Sequence, residues 1–404
     1  MKLYLFLFRI SILFSVLWGA HAWFTWWVDT TDYGTQICII LLAIISIWYK
    51  IKQKIKFKSD LKVLFVLVLW LFSFISAYDL SLSLILSCFL RFIPLWVLLS
   101  DEQCSSHFQW LKKTISYLLI PGILIHLIYI VKPFAGLPIQ FGNSMTYIFY
   151  NYFFVIELAR NTLEDTIRFQ SVFLEPGYLG TLLCFLLYCD RYNFKDTYTK
   201  IILCSLILSF SLAGYVISFL GYLIYRRLIG TNISKYIGIT VFFSALYLFA
   251  SNYNNGDNIL YKRIFYRLQF DDDKGIKGYN RNGYITDYYY DQVISSDRIF
   301  YGLSYEEIRL INGDSDGYVD ETNKLHGAGF KLYVVQHGLV PVILYFLFYY
   351  FLIIAGGVCR KYSFGFLILI VFTFLQASYP NSYSWLIPFI LGINSRKPLL
   401  KIRQ

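Results

Sequence analysis

Residues 61–78 read LKVLFVLVLWLFSFISAY, an apolar run whose single charge, Lys62, lies near its start. A helix needs about 20 mainly apolar residues to cross a bilayer, so this run predicts a transmembrane helix. Comparable runs follow one another from one end of the chain to the other. The sequence therefore predicts an all-α fold, a polytopic bundle of membrane helices.

Composition supports this reading. Of 404 residues, 57% are hydrophobic, 20% are aromatic and only 15% are charged, whereas a soluble chain carries roughly 25% charged residues. The formal net charge is +11. The basic residues form short clusters between apolar runs, as in cytoplasmic loops, and they make no continuous basic face. A nucleic-acid partner is therefore not expected.

The other candidate spans are distributed along the whole chain: 3–27, 36–49, 80–99, 114–131, 172–189, 236–251, 332–355, 363–378 and 383–394. The N-terminal segment imitates a signal peptide with a small-residue cleavage site, because it contains Lys2, an apolar run and then Ala20-His21-Ala22. Because the apolar character continues as far as Trp27, we expect a retained first helix.

Charge predicts the orientation. Six lysines between Lys50 and Lys62 crowd one loop, which places that loop and the N-terminus in the cytoplasm. Two stretches leave the count open. In one model 139–159 stays outside the membrane and 200–225 folds as a hairpin; in its rival, 139–159 spans and 200–225 crosses once. Both give about twelve crossings. Charge favours the first model, and hydropathy favours the second.

The domain prediction follows the first model. Residues 1–251 hold transmembrane helices 1–9 with a smaller external loop at 132–171. Residues 252–331 form one large external loop, and residues 332–404 hold transmembrane helices 10–12 and a basic cytoplasmic tail.

The 252–331 loop carries 13 of the chain's 25 acidic residues. It is also rich in tyrosine: Tyr279, Tyr284, Tyr288, Tyr289, Tyr290, Tyr301 and Tyr305. Aromatic platforms among acids and amides suit carbohydrate, because sugar rings offer C–H faces for stacking and hydroxyls for hydrogen bonds. The alternative is an ordered external cap with tyrosines in its own small core.

Arg168-Phe169-Gln170-Ser171-Val172-Phe173-Leu174-Glu175-Pro176-Gly177-Tyr178 is the second candidate site. A carboxylate near membrane depth is costly, which makes Glu175 a functional candidate. Pro176 is tolerated at a helix start, so Glu175 is expected at the positive end of a helix dipole. The alternative is a capping residue with an interfacial arginine.

His326-Gly327-Ala328-Gly329 ends the large loop, and a helix is expected to begin soon after it with His337 well inside. His326 could serve catalysis or structure. Residues 312–320 imitate the opening of a calcium-binding EF-hand loop, but position twelve is Asn323, so an acidic turn is the better reading. The seven cysteines show neither a disulfide framework nor a CxxC spacing. No metal site is predicted.

In this order, the features resemble the O-antigen polymerase and ligase superfamily of bacterial membrane glycosyltransferases. The resemblance rests on Arg168 with Phe173-Leu174-Glu175-Pro176-Gly177, on Ser209-Phe210-Ser211-Leu212-Ala213-Gly214, on Arg263, Arg267 and Asn280-Arg281, and on His326 running into Gly338-Leu339.

The resemblance implies a donor glycan on polyprenyl diphosphate, presented at the outer leaflet of the bacterial inner membrane, and no cofactor. Arginine suits the leaving diphosphate because its planar fork pairs with phosphate oxygens. The diphosphate-binding candidates are Arg168, Arg267, Arg281 and Arg263. Glu175 and His326 are the candidate bases for the attacking hydroxyl.

The partners that the resemblance implies for this chain are the lipid-linked donor and acceptor, membrane lipid and a chain-length regulator protein. The expected activity is polymerisation of oligosaccharide repeats into a surface polysaccharide. An O-antigen ligase and a lipid-linked sugar flippase are the alternatives.

Overall fold

The computed structural model describes residues 2–25, 28, 32–55, 61–74, 82–132, 134–140, 148–158, 168–228, 244–245, 247–258, 261–266, 269–271, 275–276, 284–311, 325, 329–356, 360–376 and 382–394. The chain is mostly helical in these ranges, as predicted. The α-helices are α1 Leu3–Gly19, α2 Asp32–Gln53, α3 Leu61–Phe74, α4 Leu82–Ser100, α5 Cys104–Val131, α6 Pro176–Cys189, α7 Thr197–Leu208, α8 Leu212–Leu228, α9 Tyr284–Ile294, α10 Tyr305–Ile311, α11 Phe330–His337, α12 Leu339–Gly356, α13 Arg360–Gln376 and α14 Tyr383–Asn394.

Two of the described helices, Tyr33–Gln53 and Cys104–Val131, are long and apolar enough to cross a membrane. A third candidate is the pair Phe330–His337 and Leu339–Ile354, which is bent by 117° at its break. The remaining apolar helices with lengths of 10–17 residues are shorter than a full span.

The outward face of α2 is apolar. Ile37, Ile40, Leu41, Ile44 and Ile51 are each at least 45% exposed, and their spacing places them on one side of the helix. An apolar face of this kind is unfavourable in water and favourable against lipid tails. The observation supports a membrane environment for this helix.

The described residues of the stretch 139–159, which are 139–140 and 148–158, form no helix. They contribute to a three-stranded antiparallel sheet of β1 Leu137–Gln140, β2 Ile148–Tyr152 and β3 Val155–Leu158, in the order β1-β2-β3. The aromatic residues Phe149, Tyr150 and Tyr152 favour a strand, and Asn151 and Glu157 are poorly suited to a lipid-facing helix. This excludes the rival model's helical span here, and it adds a sheet that the all-α prediction lacked. A second, two-residue pair joins β4 Phe270–Asp271 and β5 Gly275–Ile276.

Helices α5, α6, α7 and α8 run alternately up and down. Lys112 near the start of α5 pairs with Asp190 after the end of α6, whereas Gly122 packs on Ser171 just before α6 begins. Helix α8 runs parallel to α6, because Gly214 lies against Gly180 and, at the other end, Tyr225 lies beside Tyr192. Helix α7 therefore runs antiparallel to both, and α7 and α8 form the predicted hairpin.

This alternation defines two ends of the bundle. We call the end where α5 finishes, α6 begins and α7 turns into α8 the sheet end, because β1–β3 lie there. We call the opposite end the basic end, for its cluster of Lys112, Lys113, Arg191, Lys195, Lys200, Arg226 and Arg227.

The C-terminal helices fit the same two ends. The Ser382 hydroxyl donates to the Gly19 carbonyl (2.6 Å) at the sheet end, and the Cys189 thiol donates to the Pro388 carbonyl (2.9 Å) further along α14. The stacked rings of Tyr188 and Tyr362 exchange hydroxyl-to-carbonyl hydrogen bonds of 2.9 and 2.8 Å. Such an aromatic pair contributes about 0.5–1.5 kcal/mol beyond its burial, so α6 and α13 are firmly joined.

Two predicted spans differ from the structure. The first α-helix ends at Gly19 instead of continuing to residue 27, because His21 takes a left-handed conformation (φ 53°) and the Trp23 amide donates to Val172. The predicted span 332–355 is two helices broken at Gly338, whose φ is 79°. His337 therefore ends α11 instead of lying inside a long helix.

Candidate functional site

The predicted segment 168–175 crosses the sheet end and is fastened to three other parts of the chain. Its backbone hydrogen bonds run from Phe169 N to Leu208 O (3.1 Å), from Ile156 N to Ser171 O (2.9 Å), from Trp23 N to Val172 O (2.9 Å) and from Leu174 N to His21 O (3.0 Å). Phe169, Val172 and Phe173 are buried. The apolar middle of the segment is thus an anchor that holds Arg168 and Glu175 at its two ends.

Arg168 lies at the turn between α7 and α8. Its Nε donates to the Ser209 carbonyl (3.4 Å), and the side chain is half-buried. The two serines of this turn replace missing helical hydrogen bonds: Ser209 Oγ accepts from the Ser211 amide (3.2 Å), and Ser211 Oγ accepts from the Gly214 amide (3.3 Å). The serine-containing reversal therefore gives Arg168 a defined backbone partner.

Glu175 is the N-cap residue of α6, with Pro176 at the first helical position, as the sequence predicted. Its side chain is exposed and makes no capping hydrogen bond. The helix dipole favours a carboxylate at this position, and the carboxylate oxygens of Glu175 are not used in a hydrogen bond to the helix backbone. It can therefore accept a proton or hydrogen bond from a ligand, although its catalytic role stays a prediction.

An aromatic pair lies beside Glu175. The rings of His21 and Tyr178 stack with centroids 4.4 Å apart. No functional role was predicted for His21, because in the sequence it belongs only to a signal-like Ala-His-Ala. Its approach to Tyr178 depends on the pairing of residues 20–23 with residues 172–174, for which the sequence contains no local signal.

A buried histidine–glutamate pair packs against the segment 168–175. His126 Nδ1 lies 3.0 and 3.1 Å from the two carboxylate oxygens of Glu157, and both side chains are fully buried. Burial raises the pKa of Glu157, while hydrogen bonding and the charge of His126 oppose that shift. The Phe169 ring packs edge-on against His126 (5.3 Å). This pair links α5 and β3 to the start of the site.

The large loop contacts the bundle at the break in the α11–α12 pair. Lys331 Nζ pairs with Asp287 Oδ1 of α9 (2.7 Å), and the Leu303 amide donates to the Val335 carbonyl (2.8 Å). A Cβ added to Gly302 would lie 2.7 Å from the His337 amide nitrogen, so the approach requires glycine. The far end of α13 reaches the same place through Phe374 and Phe330, which puts this contact at the sheet end.

The remaining predicted site residues are only partly visible. Arg263 lies in a helical turn, Tyr261–Phe265, of which the structure describes the backbone at this position. Arg267, Arg281 and His326 lie outside the described residues, as does the calcium-like stretch 312–323. The structure thus places Arg168 and Glu175 on one anchored segment and leaves their relation to the other four undescribed.

The chemistry of the described site is that of an exposed carboxylate and a half-buried guanidinium beside aromatic rings. Among the described residues, His, Cys, Asp and Glu side chains form no group of three or more that could hold a metal ion. Comparison with known proteins finds no family model, no curated protein and no solved structure that matches the chain.

Proposed function

We propose that this chain is a membrane glycosyltransferase that polymerises polyprenyl-diphosphate-linked oligosaccharide repeats at its sheet end. One observation supports this most directly. The single segment that carries Arg168 and Glu175 is fastened to three elements of the sheet end, with Glu175 exposed at the start of α6. The type of reaction is inferred from the family resemblance, and its location is inferred from the anchored segment 168–175.

The proposal includes a twelve-crossing topology in the bacterial inner membrane, with both termini cytoplasmic. The clustering of lysine and arginine at the basic end supports a cytoplasmic location for that end. The sheet end and residues 252–331 are then external, where the lipid-linked donor is presented. The α7–α8 hairpin favours this count, because it returns Arg226 and Arg227 to the same end as Arg191.

In the proposed reaction, a hydroxyl oxygen of the acceptor sugar attacks the anomeric carbon of the donor. The bond between that carbon and the diphosphate oxygen breaks, and the lipid diphosphate leaves with the electron pair. Glu175 accepts the hydroxyl proton, with His326 as the other candidate. Direct displacement inverts the anomeric centre.

Arg168 stabilises the departing diphosphate in this scheme, and the resemblance adds Arg267, Arg281 and Arg263. Negative charge grows on the diphosphate during bond breaking, so a fixed guanidinium binds the transition state more tightly than the ground state. One such charge stabiliser lowers the barrier by roughly 2.7–4 kcal/mol. A chain-length regulator would act as a protein partner.

A lipid-linked sugar transporter is the second candidate, and the broken α11–α12 pair is the observation in its favour. Transporters place broken helices at the membrane midplane, around their substrate. Here Gly338 packs against the backbone of Phe300 and Tyr301 from the large loop. That contact places the break at the sheet end of the bundle, which suits a docked external loop better than a central binding site.

The glycan profile of a deletion strain tests the proposal. If the polysaccharide is an O-antigen, loss of the polymerase should leave the lipid A core capped by single repeats. Core without any repeat would indicate the ligase instead. Accumulation of the lipid-linked repeat on the cytoplasmic side would indicate the transporter, and unchanged polymer would refute all three.

A further inference from the structure

We infer that a cleft at the basic end binds the phosphate headgroup of an anionic phospholipid. The cleft has a volume of about 610 Å³ and lies between the start of α5, the turn from α6 to α7, and the end of α8. The cleft lies at the end of the bundle opposite the proposed glycosyl-transfer site, and lipid binding there does not depend on the proposed reaction.

Three cations line this cleft. Arg191 and Lys195 come from the α6–α7 turn, and Arg226 comes from the last turn of α8. The carboxylate in the wall, Asp190, shares the buried ammonium of Lys112 (2.7 Å) with Asp196 (3.0 Å), so this cluster carries one net negative charge against the three cations. The cleft therefore presents an excess of positive charge to whatever enters it.

The turn that supplies two of these cations is held in shape. Arg191 and Tyr192 are both left-handed, with φ of 57° and 50°, a conformation that non-glycine residues adopt uncommonly. Two features hold it there: the Tyr192 amide donates to the Leu187 carbonyl (3.0 Å), and the Tyr192 hydroxyl donates to the Ser218 carbonyl (2.9 Å). The turn thus positions Arg191 without needing a ligand to do so.

Aromatic rings orient the two arginines. The guanidinium of Arg191 lies 5.5 Å from the centroid of the Tyr362 ring, and that of Arg226 lies 5.8 Å from Tyr222. Contact with a ring face holds an arginine in place, and a guanidinium has five N–H donors with which it can bind phosphate oxygens. Both arginines are therefore suited to bind a phosphate.

The rest of the wall explains why the ligand should be a lipid. Phe108, Phe194 and Tyr225 line the same cleft as the cations, and Phe194 is 40% exposed. A cleft with phosphate-binding cations beside exposed aromatic surface matches an amphiphile better than a free anion. Basic pockets between membrane helices on the cytoplasmic side are known to take anionic lipid headgroups.

Cytoplasmic loops are rich in lysine and arginine in most membrane proteins, so charge alone would not justify a site. The lysines around the end of α2 are such a case: Lys50 and Lys52 in its last turn and Lys54 just after it follow one another along the chain, and they do not line this cleft. The three cations of the cleft differ because they come from two elements and converge on one cavity.

Lipid binding to the purified full-length chain tests the inference, with native mass spectrometry as the readout. Phosphatidylglycerol and phosphatidylcholine are compared on the wild type, on the triple variant R191Q/K195Q/R226Q and on the matched triple variant K50Q/K52Q/K54Q. We expect the wild type to prefer phosphatidylglycerol, the cleft variant to lose this preference by about tenfold or more, and the matched variant to keep it.

Because the cleft variant could fold poorly, thermal melting is measured for every variant, and K195E is included as a single change at an exposed side chain. Weaker phosphatidylglycerol binding by a fully folded K195E supports the site. Equal loss in both triple variants would overturn it, since general surface charge would then explain the binding. Displacement of the lipid by millimolar inorganic phosphate would overturn the lipid assignment and indicate a soluble phosphate ligand.

Discussion

The buried polar side chains at the two ends of the bundle differ in how completely they are hydrogen-bonded. At the basic end, Lys112 Nζ bonds to Asp190 (2.7 Å) and to Asp196 (3.0 Å). At the sheet end, His126 Nε2 and the Gln170 side-chain nitrogen are buried with no hydrogen-bond partner among the described residues. Unsatisfied buried polar atoms reduce stability and concentrate at functional sites. The basic end is thus arranged for stability, and the sheet end keeps unused polar groups close to its candidate site.

A second cluster of buried polar groups at the basic end is also hydrogen-bonded. Asp101 lies within hydrogen-bonding distance of the Tyr49 hydroxyl (2.9 Å) and His107 Nε2 (3.0 Å), and it accepts from the Gln103 amide (2.8 Å). Burial raises the pKa of Asp101, but these hydrogen bonds outweigh it and hold the pKa below its ordinary value. The ionised carboxylate is therefore the form that stabilises this end. That contribution is present above the unfolded pKa of an aspartate and is lost as the pH falls through the lower folded value.

The largest expected difference between the ends is their accessibility from outside the cell. Leu137 in β1 is 73% exposed, and Lys195 is also exposed. In intact cells, a membrane-impermeant maleimide should label L137C and leave K195C unlabelled, with the wild-type chain as background. Labelling of K195C alone would reverse the topology, and labelling of both would remove the distinction.

The next difference concerns the two buried ion pairs. Replacing Lys112 by methionine leaves the 5% exposed Asp190 carboxylate without its cation, which should cost about 3–5 kcal/mol. Glu157→Gln should cost only about 1 kcal/mol, because burial already disfavours the charged form of Glu157 and glutamine can still bond to His126. Melting of both purified variants checks this order, and a greater loss in E157Q would contradict it.

Arg168 tests the chemistry of the sheet end. Lysine keeps the charge but lacks the planar fork, so R168K should lower polymer formation roughly ten- to a hundredfold at normal protein level. Arg298 is the matched control. It pairs with Glu307 at 2.7 Å on the surface, and their side chains are 47% and 37% exposed, so R298A should change little. Full-length glycan from R168K would end the proposed role of this arginine.

The smallest difference lies in two helix caps. Asp196 caps α7 by accepting from the Thr199 amide (3.2 Å), and it also pairs with Lys112 (3.0 Å). D196A should therefore cost at least the roughly 1–2 kcal/mol of a lost cap. Glu175 holds the same position on α6 without a capping hydrogen bond. E175A should therefore leave the melting temperature nearly unchanged while it abolishes polymer. A melting loss in E175A as large as that in D196A would assign Glu175 to structure instead.

The features that could be predicted from the sequence are those that depend on a local pattern of residues. Apolar runs located most helices, as 61–78 did for α3, and Pro176 marked the start of α6. The break at Gly338 was missed because a single glycine in an apolar run is common, and its conformation depends on the loop backbone packed against it. The His126–Glu157 pair was missed for a similar reason. Its partners are 31 residues apart on a helix and a strand, and no periodicity links them.

Polymerisation by the purified chain in proteoliposomes tests the central claim most directly. The substrate is the strain's own polyprenyl-diphosphate-linked repeat, the buffer contains EDTA, and the products are resolved by length. We predict lipid-linked glycans that grow by whole repeats, with one polyprenyl diphosphate released for each bond formed. Folded chain that leaves the repeat unchanged, or that elongates it only when calcium is restored, would contradict the account.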